Sequence, residues 1–217
     1  MNKIFIHVGL HRTGTTFLQQ HVFPKLNVNY IHVDAKDIMK KADIKDGQIN
    51  LLSSEYFSGA PLDFKNPNYG ADDRFDIAYK LKQLYPDAEI ILVLRIKEDW
   101  KRSLYQQYIK SKGYISREHF DEKFDNEFLE YNTYITYLEK LFGTMKVNVL
   151  VYEDLKLDYG RFVEKICRII CVKTPKVKNV IYNKSLTRGQ EKYLQVFRNI
   201  SDKTIKKIRF GMERMNR

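Results

Sequence analysis

The chain reads as an α/β protein of three layers, with a central, mainly parallel sheet and helices on both faces. Three observations predict this. Apolar runs of strand length alternate with amphipathic helical stretches. The cleanest run, EIILVLR (89–95), is apolar without alternation, as a strand covered on both faces is. The first run, KIFIHV (3–8), passes directly into the glycine-containing turn GLHRTGTT and then a helix.

Taken in order, KIFIHV is the first strand and TTFLQQHVF (15–23) the first helix, with Pro24 near its end. NYIHV (29–33) is a short strand, and QINLLSS (48–54) another that ends at Glu55. The stretch 58–70, with Gly59, Pro61, Pro67 and Gly70, is a loop. In DDRFDIAYKLKQLY (72–85), Phe75, Ala78, Leu81 and Leu84 share one helix face. EDWKRSLYQQYIK (98–110) is a helix with acidic residues in its first turn, where the helix dipole favours them. Residues 113–126 carry no clear period. Residues 127–142 form an amphipathic helix stopped by Gly143. KVNVLVY (146–152) is the last strand and YGRFVEKICRIIC (159–171) a helix. Two further basic helices are expected at 187–200 and 202–215. The whole, 1–217, is expected to be one domain, with 184–217 a basic helical C-terminal segment.

With 217 residues and 43% hydrophobic content, the chain can bury a real core. No apolar stretch approaches the ~20 residues needed to span a bilayer. The first residues enter a strand without a charged-then-apolar leader, so a cytoplasmic location is expected. Cys167 and Cys171 are spaced i, i+4 on one apparent helix face and read as two small buried hydrophobes. No Cys/His cluster has metal-ligand spacing. The net charge is +11, and residues 184–217 hold ten Lys/Arg against three Asp/Glu. Such a surplus favours anionic partners without identifying one.

The turn Gly9–Thr16 carries the chemistry. Two glycines let the backbone curl, so that amides of roughly residues 12–16, with the next helix's N-terminus, can meet an anion. Thr13, Gly14, Thr15 and Thr16 are the candidate contacts. A nucleotide-hydrolysing loop would put Lys after its second glycine. Here Thr15 stands there, and the cation is Arg12 inside the loop. Such an enzyme also needs an acidic residue at a buried strand end to hold Mg²⁺. The best strand ends instead in Arg95. Eight residues on, in the following helix, stands Ser103. A guanidinium fork and a hydroxyl there suit a second phosphate. The ligand thus has two separate anionic groups.

These residues resemble the sulfotransferases that use 3′-phosphoadenosine 5′-phosphosulfate (PAPS). That family carries G-x-x-[KR]-[ST]-G-T-T-x-[LF] after its first strand, and GLHRTGTTFL matches. Its strand-end Arg and a Ser eight residues later match Arg95 and Ser103. VYEDL (151–155) matches a later family segment. The resemblance implies a P-loop nucleotide-binding type of fold, PAPS as donor, 3′,5′-adenosine bisphosphate (PAP) as product, and no required metal. Arg12 stands where many relatives have Lys. Lys97 replaces a Pro common two residues after the strand-end Arg. Arg188 and Gly189, in NKSLTRGQ (183–190), loosely match a late segment that closes over the 3′-phosphate.

Sulfuryl transfer to an alcohol needs a base near the carboxyl edge of the sheet. Glu55 ends a buried strand there, where desolvation is expected to raise its pKa. Arg12 would neutralise charge on the breaking S–O bond. His11, adjacent to it, is the second candidate base. A Glu after that strand is the pattern of carbohydrate and tyrosyl-protein sulfotransferases, so the resemblance implies a hydroxylated acceptor of carbohydrate or glycoconjugate type. Two other readings stand beside this one. One is a small-molecule kinase or NTPase using ATP and magnesium held by Glu153 or Asp154. The other is a basic protein that binds a membrane or nucleic acid through its C-terminal segment. With the first reading, no nucleic-acid partner is expected, and peripheral membrane contact falls to that segment.

Overall fold

The computed structural model describes residues 2–62, 73–178 and 189–190. Five strands form one sheet: β1 (Lys3–Gly9), β2 (Asn29–His32), β3 (Ile49–Ser54), β4 (Glu89–Leu94) and β5 (Val147–Val151). Their order is β2-β3-β1-β4-β5, and every pairing is parallel. Around them stand α1 (Thr15–Phe17), α2 (Asp73–Leu84), α3 (Lys97–Lys112), α4 (Arg117–Lys123), α5 (Tyr131–Phe142), α6 (Tyr152–Leu157) and α7 (Tyr159–Ile170). The α/β expectation holds. Most predicted elements appear within a few residues of their expected bounds. Two differ.

The first helix is α only for Thr15–Phe17. It then widens to a π turn over Leu18–Val22 and tightens to a 3₁₀ turn over Phe23–Lys25. Pro24 has no N–H to give the helical ladder, and the pitch changes as the run approaches it. The second difference is Cys171. It does not share the buried face of Cys167 but lies past the end of α7 at φ 63, exposed. There it closes the helix: its N–H donates to the Arg168 carbonyl, and that of Val172 to the Cys167 carbonyl.

Alternation along buried strands separates two cores. Ile6, Val8, Leu52, Ile90 and Leu92 face α2, α3 and α5. Phe5, Leu51, Ile91 and Val93 face the first helical run and α7. Because β1 sends its chain to one face and β4 to the other, the strands diverge at their carboxyl ends. This crevice between β1 and β4 is where open parallel sheets bind ligands.

Behind the sheet end lies a buried cation. Arg74, on α2, is 1% exposed and donates to the carbonyls of Glu127, Phe128 and Glu130 ahead of α5. Phe75, Phe128 and Tyr134 surround its guanidinium. It ties α2 to α5, and α5 reaches the turn after β3 through the Tyr134 hydroxyl, which donates to the Phe57 carbonyl. Arg74→Met keeps the stem but orphans three carbonyls. We expect it to lower unfolding free energy by about 2–4 kcal/mol, measured by urea titration.

Candidate active site

The Gly9–Thr16 turn is built by capturing its carbonyls. Gly9 O accepts from the Ser58 hydroxyl at 3.1 Å. Leu10 O accepts from Thr13 Oγ1 at 2.6 Å and Thr15 Oγ1 at 3.3 Å. His11 O accepts from the indole N–H of Trp100. Arg12 O accepts from Arg95 Nη1 at 2.9 Å. Each bond fixes one planar peptide and hence the direction of the N–H that follows. Arg12 and Gly14 both take positive φ, 65° and 81°, so the chain curls twice before the helix. Beneath Gly14 pack Leu155 and Tyr152, and beside Gly9 pack Thr15 and His7.

Arg12 stands between Ser103 and Arg95, bonded to one through its side chain and to the other through its carbonyl. Ser103, 3% exposed, accepts from Arg12 Nε at 3.0 Å. Arg95 lies over the Tyr152 ring at 4.7 Å, and its Nε stands 4.0 Å from Glu153. That Nε is buried and hydrogen-bonded to nothing among the described residues. Burial, and then the charge of Arg95, push the Arg12 pKa below its ordinary value. Two guanidiniums held this close favour an anion between them.

On the other side of the turn, His11 meets Glu55. Nδ1 is 3.2 Å from Glu55 Oε2, and Nε2 is 3.2 Å from the Gly59 carbonyl. Both partners are acceptors, so both contacts are hydrogen bonds only when each ring nitrogen carries a proton. Glu55 therefore pairs with His11, not with Arg12 or Arg95. Its acidity runs against expectation. Burial does raise the Glu55 pKa. The His11 hydrogen bond and the charges of His11, Arg12 and His32 together outweigh it and hold the group below the usual carboxylate range. Sequence reasoning missed the counter-charge because His11 stands forty-four positions away.

Other predicted residues fall elsewhere. Thr13 and Thr15 are buried and spend their hydroxyls on Leu10 O, while Thr16 is half-buried. Gly189 is exposed, and Arg188 and nearly all of 184–217 lie outside the described residues. Glu153 faces Arg95 and Asp154 faces Lys165 at 3.9 Å, so each carboxylate of the VYEDL segment meets a cation. Residues missed altogether include Ser58 and Trp100. Trp100 is the chain's one tryptophan, three positions before Ser103, and that rarity was the available signal. His7 was also missed. It is fully buried, bonds Ser53 through Nδ1 at 2.8 Å, and is held neutral by burial, with a pKa near 3.

Comparison with known proteins decides among the readings. A family model described as "Sulfotransferase domain" matches residues 4–177. The chain belongs to the sulfotransferase family. The fold of this sulfotransferase is similar to that of the sulfotransferase from Alicyclobacillus acidocaldarius. That match has 16% identity and a TM-score of 0.51, covering 89% of this chain and 90% of that one. It is also similar to mouse sulfotransferase SULT7A1, solved in complex with PAP. There identity is 13% and the TM-score 0.50, over 80% of this chain and 61% of the mouse chain. No curated protein sequence matches. Among the described residues, no helix is long and apolar enough to cross a membrane.

Gly14 tests the curl directly. In Gly14→Ala, a Cβ at φ 81° meets the Leu155 side chain and stands 3.3 Å from Tyr152. The left-handed backbone alone costs ~1–2 kcal/mol, so Tm should fall by roughly 2–8 °C in thermal denaturation.

Proposed function

We propose that this sulfotransferase moves a sulfuryl group from PAPS to a hydroxyl of a carbohydrate or glycoconjugate, and that the crevice between β1 and β4 holds the donor. The observation that carries the reading is the convergence of Arg12, Arg95 and buried Ser103 on one face of the captured-carbonyl turn. A ligand with one anion at the turn and a second at Arg95 satisfies the free Nε of Arg95 and separates two guanidinium charges. PAPS has that form, and a neighbour of the fold was solved with PAP. No metal enters this scheme.

PAPS supplies the sulfuryl group and leaves as PAP. Arg95 and Ser103 hold the 3′-phosphate. In doing so they draw Ser103 from Arg12, whose guanidinium is then available to the charge that grows on the breaking S–O bond. Glu55 receives the acceptor proton. Held ionised by His11, it is a modest base at neutral pH. It suffices because the acceptor oxygen grows acidic only as its bond to sulfur forms. His11 has both nitrogens engaged and is the positioning residue for that carboxylate, which favours Glu55 over His11 as base.

Arg95→Ala should weaken PAP binding at least tenfold and adenosine 5′-phosphosulfate binding far less, measured by calorimetry. Equal losses would remove the 3′-phosphate role. Glu55→Gln should abolish transfer while PAP still binds; near-normal turnover would end the assignment. The pH profile carries the sign. A depressed pKa keeps the base ionised, so the acid limb of kcat/KM should lie below about pH 4.3, the ordinary glutamate value. In His11→Ala the raising effect of burial is left unopposed by His11, and the limb should move to higher pH.

A further inference from the structure

The mouth of the site is divided by charge across the Gly9–Thr16 turn. On the β4–β5 side stand Arg12 and Arg95. On the β3–β2 side stand Glu55, Tyr56, His32 and Asp34, at the carboxyl ends of two paired strands. The register sets this neighbourhood: His32 lies opposite Ser53, and Val33 N–H donates to Ser53 O. The next residues on each strand, Asp34 and Glu55 with Tyr56, therefore share one rim. Tyr56 is 37% exposed and meets the His11 ring edge-on at 5.5 Å. Electrostatic reach closes the group: Glu55 and Asp34 both act on Tyr56, and His32 acts on Glu55. His32 and Asp34 are exposed and 3.6 Å apart. Two lysines of the following turn, Lys36 and Lys40, are directed to another carboxylate. Lys40 pairs with Asp37 at 2.7 Å, and Lys36 lies within reach of it.

We propose that this rim is the acceptor subsite, and that it takes a neutral or amine-bearing sugar ring laid on Tyr56 in preference to a polyanionic glycan. The inference rests on the sulfuryl-transfer reading and deepens it. A tyrosine face accepts the apolar C–H side of a sugar ring and attracts an ammonium group. Asp34 and the ionised Glu55 accept hydrogen bonds from hydroxyl or ammonium donors. The same two carboxylates repel the sulfate or carboxylate of a polyanion at contact distance, where like-charge juxtaposition governs selection. The leading positive charges acting on Glu55 are those of His11, Arg12 and His32. In the proposed complex Arg12 faces the sulfuryl group of the donor, on the other side of the turn.

The test uses the full chain, labelled PAPS and three chitin-derived hexasaccharides of one length: N-acetylated, fully deacetylated, and N-sulfated. We expect the first two to be labelled with kcat/KM at least tenfold above the third. Asp34→Lys should narrow that ratio by tenfold or more, and Tyr56→Ala should raise KM for the favoured sugars at least fivefold with a smaller effect on kcat. PAP affinity, measured on every variant, reports folding and the donor side. Equal or preferred labelling of the N-sulfated sugar, or a ratio unmoved by Asp34→Lys, overturns the proposal. Labelling of none of the three by a protein that binds PAP also overturns it and leaves sulfuryl transfer standing. Failure of the unaltered protein to bind PAP overturns the underlying reading itself.

Discussion

Four successive carbonyls, Gly9 to Arg12, are each taken by a side chain, and the site depends on this. A tight turn leaves backbone groups without ladder partners, and a buried carbonyl without a donor costs about 1–3 kcal/mol. Here the donors come from three directions: Ser58 after β3, Trp100 on α3 and Arg95 at the end of β4. The turn is thus held by the strands that flank it in the sheet and by the helix that closes the crevice. Its shape follows from the parallel order β3-β1-β4, not from its own sequence alone.

This scaffold explains why Arg12 tolerates a left-handed backbone. A non-glycine residue at φ 65° carries a cost of about 1 kcal/mol or more. Among the bonds that hold it there, its carbonyl accepts from Arg95 and its guanidinium donates to Ser103. In the proposed site both partners belong to the pocket for the second anion. On that proposal, strain at the first pocket is borne by residues of the second, and an anion arriving at one would disturb the bonds that shape the other. The two halves behave as one electrostatic unit even though eighty-three positions separate Arg12 from Arg95.

What the sequence makes legible follows the range of the physics involved. Strand β4 is readable because burial on both faces demands an unbroken apolar run. The turn is readable because only glycine-containing sequence curls this way easily. Arg95 and Ser103 are readable because a strand end and the second turn of the next helix lie close by local geometry. The π turn at Leu18–Val22 leaves no such mark, since its pitch is set by packing ahead of Pro24. The exposure of Cys171 hides behind an i, i+4 spacing that stops being helical at that residue. The direction of the Glu55 pKa shift is the clearest failure. Burial is visible in the pattern around Glu55, whereas its imidazole partner is visible only once β1 and β3 are side by side.

That partnership has a consequence for the chemistry. A carboxylate kept ionised by its neighbours is a weaker base than a desolvated one, so in the proposed mechanism Glu55 does little to the acceptor hydroxyl before transfer begins. Proton removal must then follow, or accompany, formation of the new S–O bond. On that proposal the demand on the site shifts to the leaving side, where Arg12 would meet charge as it develops. The division of the mouth serves the same order of events. Negative charge beside the acceptor stabilises a hydroxyl oxygen that turns positive as it bonds to sulfur, and positive charge beside the donor stabilises the oxygen that turns negative. Both fields are set before any ligand enters: Arg12 and Arg95 are tied to the turn and to Ser103, and Glu55 is held by His11.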